Sequence, residues 1–283
     1  MNAGPLQPPI DPPATATSPT VDALPLRMIA WVGAVVAIGL VLTAYTHPGG
    51  GPNNHLVIGW LLGNCWGQTT LSAAWFALGP GRNSVRVVGP FVWLALLLGA
   101  FGVCVAFHGG GPPDDIVGVV ALCVGAQWLL LQVPLGSLRW WFGYRLQRVA
   151  SGAPGKLQFG MRDLFIFTAV IAVILGAARA LFSVVGLPGL TGEAPIFAML
   201  TAAAILTTLP LVVAMFVRNY FIAAVALAVF FIAVMIPGQL QFMSATGLGG
   251  PDIWHLIWIN TFQAMWALLV GGIVRAFGYR LGR

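Results

Sequence analysis

Charge is what this chain lacks most. Lys and Arg number 13, Asp and Glu 7, and charged residues are 7% of 283, where soluble domains carry about 25%. So few charges cannot cover a water-facing surface, so lipid must be the solvent for most of the exterior. Cysteine is equally scarce. Cys65, Cys104 and Cys123 fall inside apolar runs with no C-x-x-C pairing, which excludes a disulfide framework and a cysteine zinc site. Catalytic signatures are missing as well. There is no H-E-x-x-H, G-x-S-x-G or G-x-x-x-x-G-K-[ST]. His108-Gly-Gly-Gly-Pro has the look of an esterase oxyanion loop but has no nucleophile motif to serve. The net charge of +6 comes from basic residues scattered between apolar runs. They make no groove for a phosphate backbone, and nucleic acid is excluded as a partner.

Hydrophobic residues, in contrast, make up 59% of the chain. A membrane-crossing helix needs about 20 mostly apolar residues, and eight runs qualify. They are roughly Leu26–Tyr45, Leu56–Leu78, Val87–Phe107, Ile116–Leu135, Leu164–Val185, Pro195–Val217, Tyr220–Ile236 and Ile253–Val274. The separators, among them HPGGGPNNH, HGGGPPDD and PGQLQFMSATGLGGPD, are rich in Gly and Pro that break helices and Asp or Asn that cap them. The second run carries Asn64, Gln68, Thr69 and Thr70 and is the least apolar of the set. Residues 1–24, rich in Pro, Ala and Thr, have no apolar signal segment and are expected to be a disordered cytoplasmic tail.

Charge placement gives an independent test of the eight runs. With the N-terminus inside, 12 of the 13 basic residues fall on inner segments, Arg179 being the exception, while Asp114, Asp115, Glu193 and Asp252 fall outside. Positive-inside topology predicts that asymmetry. The expected location is a bacterial inner membrane, with both termini cytoplasmic.

The chain also repeats itself. Phe142-Gly-Tyr-Arg-Leu146 returns as Phe277-Gly-Tyr-Arg-Leu281, and the segment from Arg27 aligns with the segment from Arg162, both at an offset of 135 residues. Thr69-Thr70-Leu71 matches Thr207-Thr208-Leu209, Arg82-Asn83 matches Arg218-Asn219, and Pro113, Asp115 and Ile116 answer Pro251, Asp252 and Ile253. Four spans per half is an even number, so the halves enter from the same side, as parallel repeats do. The fold expected is an all-α integral membrane protein of about eight transmembrane helices in two parallel four-helix repeats, residues 25–150 and 158–283, joined by a cytoplasmic linker at 151–157.

Gln158-Phe-Gly-Met-Arg-Asp-Leu164, with the tails Gly143–Arg148 and Gly278–Arg283, resembles uncharacterised planctomycete-type multi-pass membrane proteins. In these a Q-F-[SG]-[IL]-R-D-L element leads into a span and a G-Y-R-L-x-R tail follows a later one. Leu24-Pro-Leu-Arg-Met28 departs from that pattern by lacking the Phe and the Asp. The resemblance implies a membrane location and little about chemistry.

Three groups of residues are candidates for function. Arg139, Arg145 and Arg148 flank Trp140, Trp141 and Tyr144, and Arg275, Arg280 and Arg283 belong to the second copy of the same element. Aromatic rings suit the headgroup layer and arginines snorkel to phosphates, so the group reads as a topology anchor or as a surface for lipid or a protein partner. Arg145 and Arg148 would be i, i+3 neighbours on a helix. Asn64, Gln68, Thr69, Thr207, Asn260 and Gln263, together with Gln127, are polar residues inside spans. They either hydrogen-bond helices together beside the Gly59–Gly63–Gly67 stripe or line a polar pathway. No Asp, Glu or Lys sits mid-span, which argues against proton- or ion-coupled transport. Finally His47, His55, His108 and His255 lie on the outer side with Asp252. His47, His108, His255 and Asp252 could ligate a metal, while Asp252 is equally expected as a helix N-cap. No cofactor is implied.

The pattern favours a structural or interaction role, with membrane lipids and a membrane or cytoplasmic protein as partners. A small-solute permease or channel between the halves is the runner-up, and a metal-dependent enzyme on the outer face is third. A reporter enzyme fused after Arg283 is expected to be active only if it functions in the cytoplasm. Activity confined to the outer side would overturn the topology.

Overall fold

The computed structural model describes residues 33, 54–80, 83–109, 114–141, 143–148, 194–216, 221–247 and 251–282. The first apolar run apart from Gly33, the fifth run, the Pro-rich tail, the 151–157 linker and the Gln158–Leu164 element lie outside the described residues. Six long helices and one short β-ribbon account for the rest: α1 (Asn54–Leu78), α2 (Asn83–Gly109), α3 (Asp114–Trp140), β1 (Arg145–Arg148), α4 (Ala194–Phe216), α5 (Phe221–Thr246), α6 (Ile253–Ala276) and β2 (Tyr279–Gly282).

Five of these, α2 to α6, are long and apolar enough to cross a membrane. α1 is as long, at 25 residues, but is not among the five, and its position explains why. Every residue from Gly63 to Thr70 is buried, so its polar side chains meet protein and not lipid. The share of each span buried sorts the others. It is 83% for α4 and 11% for α5, which puts α4 at the centre and α5 at the periphery. Val88, Phe91 and Leu96 of α2, Leu122 and Leu129 of α3, and Ile222, Val229 and Phe230 of α5 are exposed. An apolar exterior of this extent is stable only where hydrocarbon surrounds it.

Glycine sets the closest contact. At Gly59, Gly63 and Gly67 of α1 an added Cβ would lie 2.3 Å from Trp258 Cβ, 2.7 Å from the Ile259 carbonyl oxygen and 3.1 Å from Trp266 Cβ. The contacts on α6 advance with those on α1, so the two helices run parallel. α3 and α4 run the same way, since Gln127 and Gln132 reach Trp66 and Ala73, and Trp66 and Thr70 reach Thr201 and Thr208. Four parallel helices therefore form the centre, and α2 and α5 return along the outside.

Proline does not end these helices. Pro90, Pro134, Pro210 and Pro237 all lie within helices. The expected break at Pro237-Gly238 is corrected: α5 continues three more turns to Thr246. A proline inside a membrane helix is tolerated because packed neighbours and local adjustment offset its lost hydrogen bond.

The expected helix through Arg145 and Arg148 is also corrected. Gly143 and Gly278 adopt φ of 70° and 83°, a conformation that ends a helix and that glycine takes without steric cost. The chain then turns into two antiparallel strands. Arg145 stands opposite Gly282, Leu146 opposite Leu281, Gln147 opposite Arg280 and Arg148 opposite Tyr279. The two-residue alternation sends Tyr144, Leu146, Tyr279 and Leu281 into the core. The headgroup position expected for Tyr144 is therefore corrected, since its ring is buried at the base of the bundle, whereas Trp140 and Trp141 are exposed.

The glycine stripe leads to a contrast that stability measurements can check. Gly63→Ala should lower the melting temperature in detergent, at a cost of about 1–3 kcal/mol for overpacking against the α6 backbone. Gly99→Ala, where nothing lies within 4 Å of an added Cβ, should be close to neutral. Equal effects at the two sites would refute the parallel α1–α6 contact.

Candidate functional site

Three clusters of side chains stand at three depths of the bundle. The first is a layer of buried amides at mid-depth. On α1 the Gln68 amide nitrogen donates to Asn64 Oδ1 at 2.7 Å. On α6 Asn260 Nδ2 donates to Gln239 Oε1 of α5 at 2.9 Å and to the Leu256 carbonyl at 2.8 Å. Gln127 of α3 donates to Thr70 Oγ1 at 2.9 Å and to the Trp66 carbonyl at 3.0 Å. Thr70 and Thr208 share a hydroxyl–hydroxyl contact of 2.7 Å. The Gly63 and Gly67 contacts bring the Gln263 backbone to α1 beside Asn64 and Gln68. All of these residues are buried. One hydrophobic cluster, with Leu78, Leu135 and Val274, lies below the layer towards the ribbon. Another, with Val120, Phe197 and Leu256, lies above it.

The layer is not self-satisfied. Both polar atoms of the Gln263 amide lack a hydrogen-bond partner among the described residues, as do Asn64 Nδ2, Gln68 Oε1, Gln127 Oε1, Gln239 Nε2, Asn260 Oδ1 and Thr207 Oγ1. A buried amide without a partner costs about 1–3 kcal/mol per group, and native interiors carry few of them. The set left over holds donors and acceptors together and no charge. Thr69 is different, since its hydroxyl donates back to the Cys65 carbonyl at 2.6 Å. Of the polar span residues picked out in the sequence, Asn64 and Gln68 bond to each other, the Gln263 backbone packs beside them, and Asn260 bonds to Gln239. Gln239 was missed because it follows Pro237-Gly238, a pair that reads as a turn.

The second cluster is the arginine end. Arg139 reaches across to donate to the Ala77 carbonyl at the end of α1, at 2.9 Å. Arg280 donates to the Arg275 and Tyr279 carbonyls at 2.8 and 2.9 Å. Arg139 and Arg280 thus satisfy backbone carbonyls at the base of the bundle, including a helix end whose last turns leave carbonyls open. Arg145 and Arg148 are exposed, and Arg275 occupies the last turn of α6. Arg283 lies outside the described residues.

The third cluster is at the opposite end. Asp252 is the N-cap of α6, its Oδ1 accepting from the His255 backbone N–H at 3.0 Å. The same oxygen lies 2.8 Å from His255 Nδ1. His55, in the first turn of α1, brings its Nδ1 to 3.1 Å from His255 Nδ1 and 3.4 Å from Asp252 Oδ2. Of the metal candidates, the structure joins Asp252 and His255 and adds His55. His108 belongs to the last turn of α2, and His47 lies outside the described residues. The His55 partnership had a signal in the sequence, since His55 precedes Gly59 by one turn. What the stripe packs against was not legible. The His255 backbone N–H, and after it the His255 side chain, hold the Asp252 carboxyl below its usual value.

Comparison with protein-family models, with curated proteins and with solved structures yields no match to this chain.

A lowered carboxyl value fixes the direction of a pH effect. Stability from Asp252 is present above its unfolded value of about 3.9 and is lost as pH falls through the lower folded value. Acidification from about pH 5 to pH 3 should therefore lower the melting temperature of the natural chain more than that of Asp252→Asn. The Asn still caps the helix but does not titrate. Parallel pH curves for the two proteins would contradict the assignment.

Proposed function

We propose that this chain is a bacterial inner-membrane permease or channel for a small, uncharged polar solute, which binds in the amide layer between two halves of the bundle. The observation that carries the proposal is the set of unpaired donors and acceptors on Asn64, Gln68, Gln127, Gln239, Asn260 and Gln263. They lie at mid-depth between two hydrophobic clusters. A layer that offers both halves of a hydrogen bond and no charge suits a polyol, urea or a small amide better than an ion. Transporters built from repeats hold their substrate at this depth, where the repeats meet.

The duplication belongs to the same proposal. Residues matched at the 135 offset face each other in the ribbon: Leu146 pairs with Leu281, and the Arg145–Gly282 pair mirrors Gln147–Arg280. The matched glycines Gly143 and Gly278 share a positive φ, and the matched threonines Thr70 and Thr208 hydrogen-bond to each other. A twofold axis along the membrane normal accounts for these contacts, and a duplicated eight-span chain with both termini cytoplasmic supplies one. The described basic residues lie at the ribbon end and Asp114, Asp115 and Asp252 at the other, which supports a cytoplasmic ribbon. Arg139 and Arg280 are engaged with carbonyls. They serve the anchor better than a docking surface, and the interaction role ranks below the permease.

Stability and transport should separate in one variant. Gln263→Leu removes two unpaired polar atoms, so its stability should be unchanged or raised by about 1 kcal/mol. In proteoliposomes shrunk by hyperosmotic glycerol or urea, the natural chain should speed re-swelling and Gln263→Leu should not. A variant that loses stability and keeps the solute flux would overturn the proposal, as would a natural chain that passes neither probe faster than empty liposomes.

A further inference from the structure

We propose a second, separate site: His55, Asp252 and His255 bind one divalent transition-metal ion of the zinc class at the end of the bundle opposite the arginines. The three side chains come from two helices whose close parallel contact at Gly59 and Trp258 fixes their N-terminal turns side by side. Their ligand atoms all lie within 4.8 Å of one another, and the nearest separations are 2.8, 3.1 and 3.4 Å. Zinc bonded at about 2.0–2.1 Å in a tetrahedron needs ligand atoms roughly 3.3 Å apart. The two imidazole nitrogens already stand near that spacing, while the carboxylate meets them through different oxygens, Oδ1 towards His255 and Oδ2 towards His55, so one oxygen must close on both when an ion binds.

Hydrogen bonding alone uses this arrangement poorly. His255 Nδ1 is within reach of both Asp252 Oδ1 and His55 Nδ1. A neutral imidazole has one proton at that nitrogen at most. If it goes to Asp252, a proton on His55 Nδ1 can reach Asp252 Oδ2 only at 3.4 Å and leaves two N–H groups facing each other at 3.1 Å. If it is absent, His55 Nδ1–H can donate to His255, but the 2.8 Å His255 Nδ1–Asp252 Oδ1 contact then sets two lone pairs against each other. A cation placed at their centre satisfies all three lone pairs together. Asp252 Oδ1 caps the helix while Oδ2 is the oxygen nearest His55, so capping and ligation can use different atoms of one carboxylate.

Electrostatics at this end both hinder and help. Two helix N-termini meet here, and their partial positive charge disfavours a cation. The Asp252 carboxylate offsets them, and the described basic residues are all at the far end. Two imidazoles and one carboxylate are a ligand set for zinc, nickel, copper or iron and a poor one for calcium or magnesium. Asp252 is half exposed and His55 about one third exposed, so an ion can enter from solution. With three protein ligands the fourth position is left for water or an exchanging ligand, as in sites that act on their metal's ligands and unlike closed structural sites.

The full chain, purified in detergent and stripped with EDTA, tests the site through Zn²⁺ titration and the absorption spectrum of bound Co²⁺. One ion per chain is expected, with the intense visible bands of tetrahedral cobalt. His55→Ala, His255→Ala and Asp252→Ser should each weaken Zn²⁺ binding at least about tenfold, in line with losses seen when metal-site groups are removed. Serine keeps the helix cap and withdraws only the carboxylate, so its loss of metal is not a loss of fold. Should an alanine variant be aggregated on size exclusion, His55→Gln and His255→Gln replace it. The site is refuted if the folded natural chain retains no Zn²⁺, if folded variants bind as tightly as it does, or if cobalt gives only a weak octahedral spectrum.

Discussion

Close parallel packing of α1 against α6 is the constraint on which the other features depend. It is possible only because Gly59, Gly63 and Gly67 present no side chain to Trp258, Ile259 and Trp266. Membrane helices gain nothing from exchanging lipid contact for apolar contact, so they associate through tight packing and polar contacts where backbones can approach. The stripe allows that approach and fixes the relative height of the two helices. At the top it brings His55 to His255. At mid-depth it sets Gln263 beside Asn64 and Gln68. One geometric fact thus places two clusters that sequence distance keeps about 200 residues apart.

Lipid as solvent explains why the polar residues collect inside. Asn64, Gln127, Asn260 and Gln263 are fully buried, while Leu, Val, Phe and Ile side chains of α2, α3 and α5 stand exposed. In water the sorting would be reversed. In hydrocarbon an amide on the outer face has nothing to bond to, so the interior is its better place even when partnering there is incomplete. Incomplete partnering still costs energy. The Gln127–Thr70–Thr208 chain shows that this interior can build a connected polar network. Gln263, with both amide atoms unpaired, adds no bond to it, and so is the residue whose presence asks for a purpose beyond helix packing.

Much of this was legible in the sequence, and the rest was hidden for identifiable reasons. Apolar runs longer than a bilayer is thick predict helices, and the five apolar spans of α2 to α6 correspond to runs read from the sequence. Polar residues inside a run, as at Asn64 and Gln68, signal an interior position but not the neighbour. Pro237-Gly238 misled because turn chemistry derived from water-exposed chains loses force where neighbours shield the backbone. The ribbon misled in the opposite direction. Arg145-Leu146-Gln147-Arg148 reads as a helix tail, and only Gly143 in a positive-φ conformation, with a pairing strand at Tyr279–Gly282, makes it a strand. Non-local pairing of this kind leaves no periodic trace in four residues. The His55 contact is similar, since Gly59 one turn on marks a close approach but nothing in the sequence names the helix it packs against.

The charge pattern is better understood as a response to helix direction than as a label for topology alone. Four central helices run parallel, so their macrodipoles add where antiparallel neighbours would cancel. Their N-terminal ends gather partial positive charge at one face of the membrane and their C-terminal ends partial negative charge at the other. Arg139 and Arg275 stand in the last turns of α3 and α6, and Arg139 binds a carbonyl at the end of α1. Asp252 stands at the opposite end, capping α6. Each charge opposes the field of the helices that carry it. Parallel packing, which the glycine stripe makes possible, would otherwise be penalised by its own dipoles. The arginines therefore have a local physical reason to sit at the ribbon end whichever side of the membrane that end faces. For the same reason a cation at the His55–Asp252–His255 face depends on the Asp252 carboxylate, because the N-termini of α1 and α6 that carry the cluster contribute positive potential.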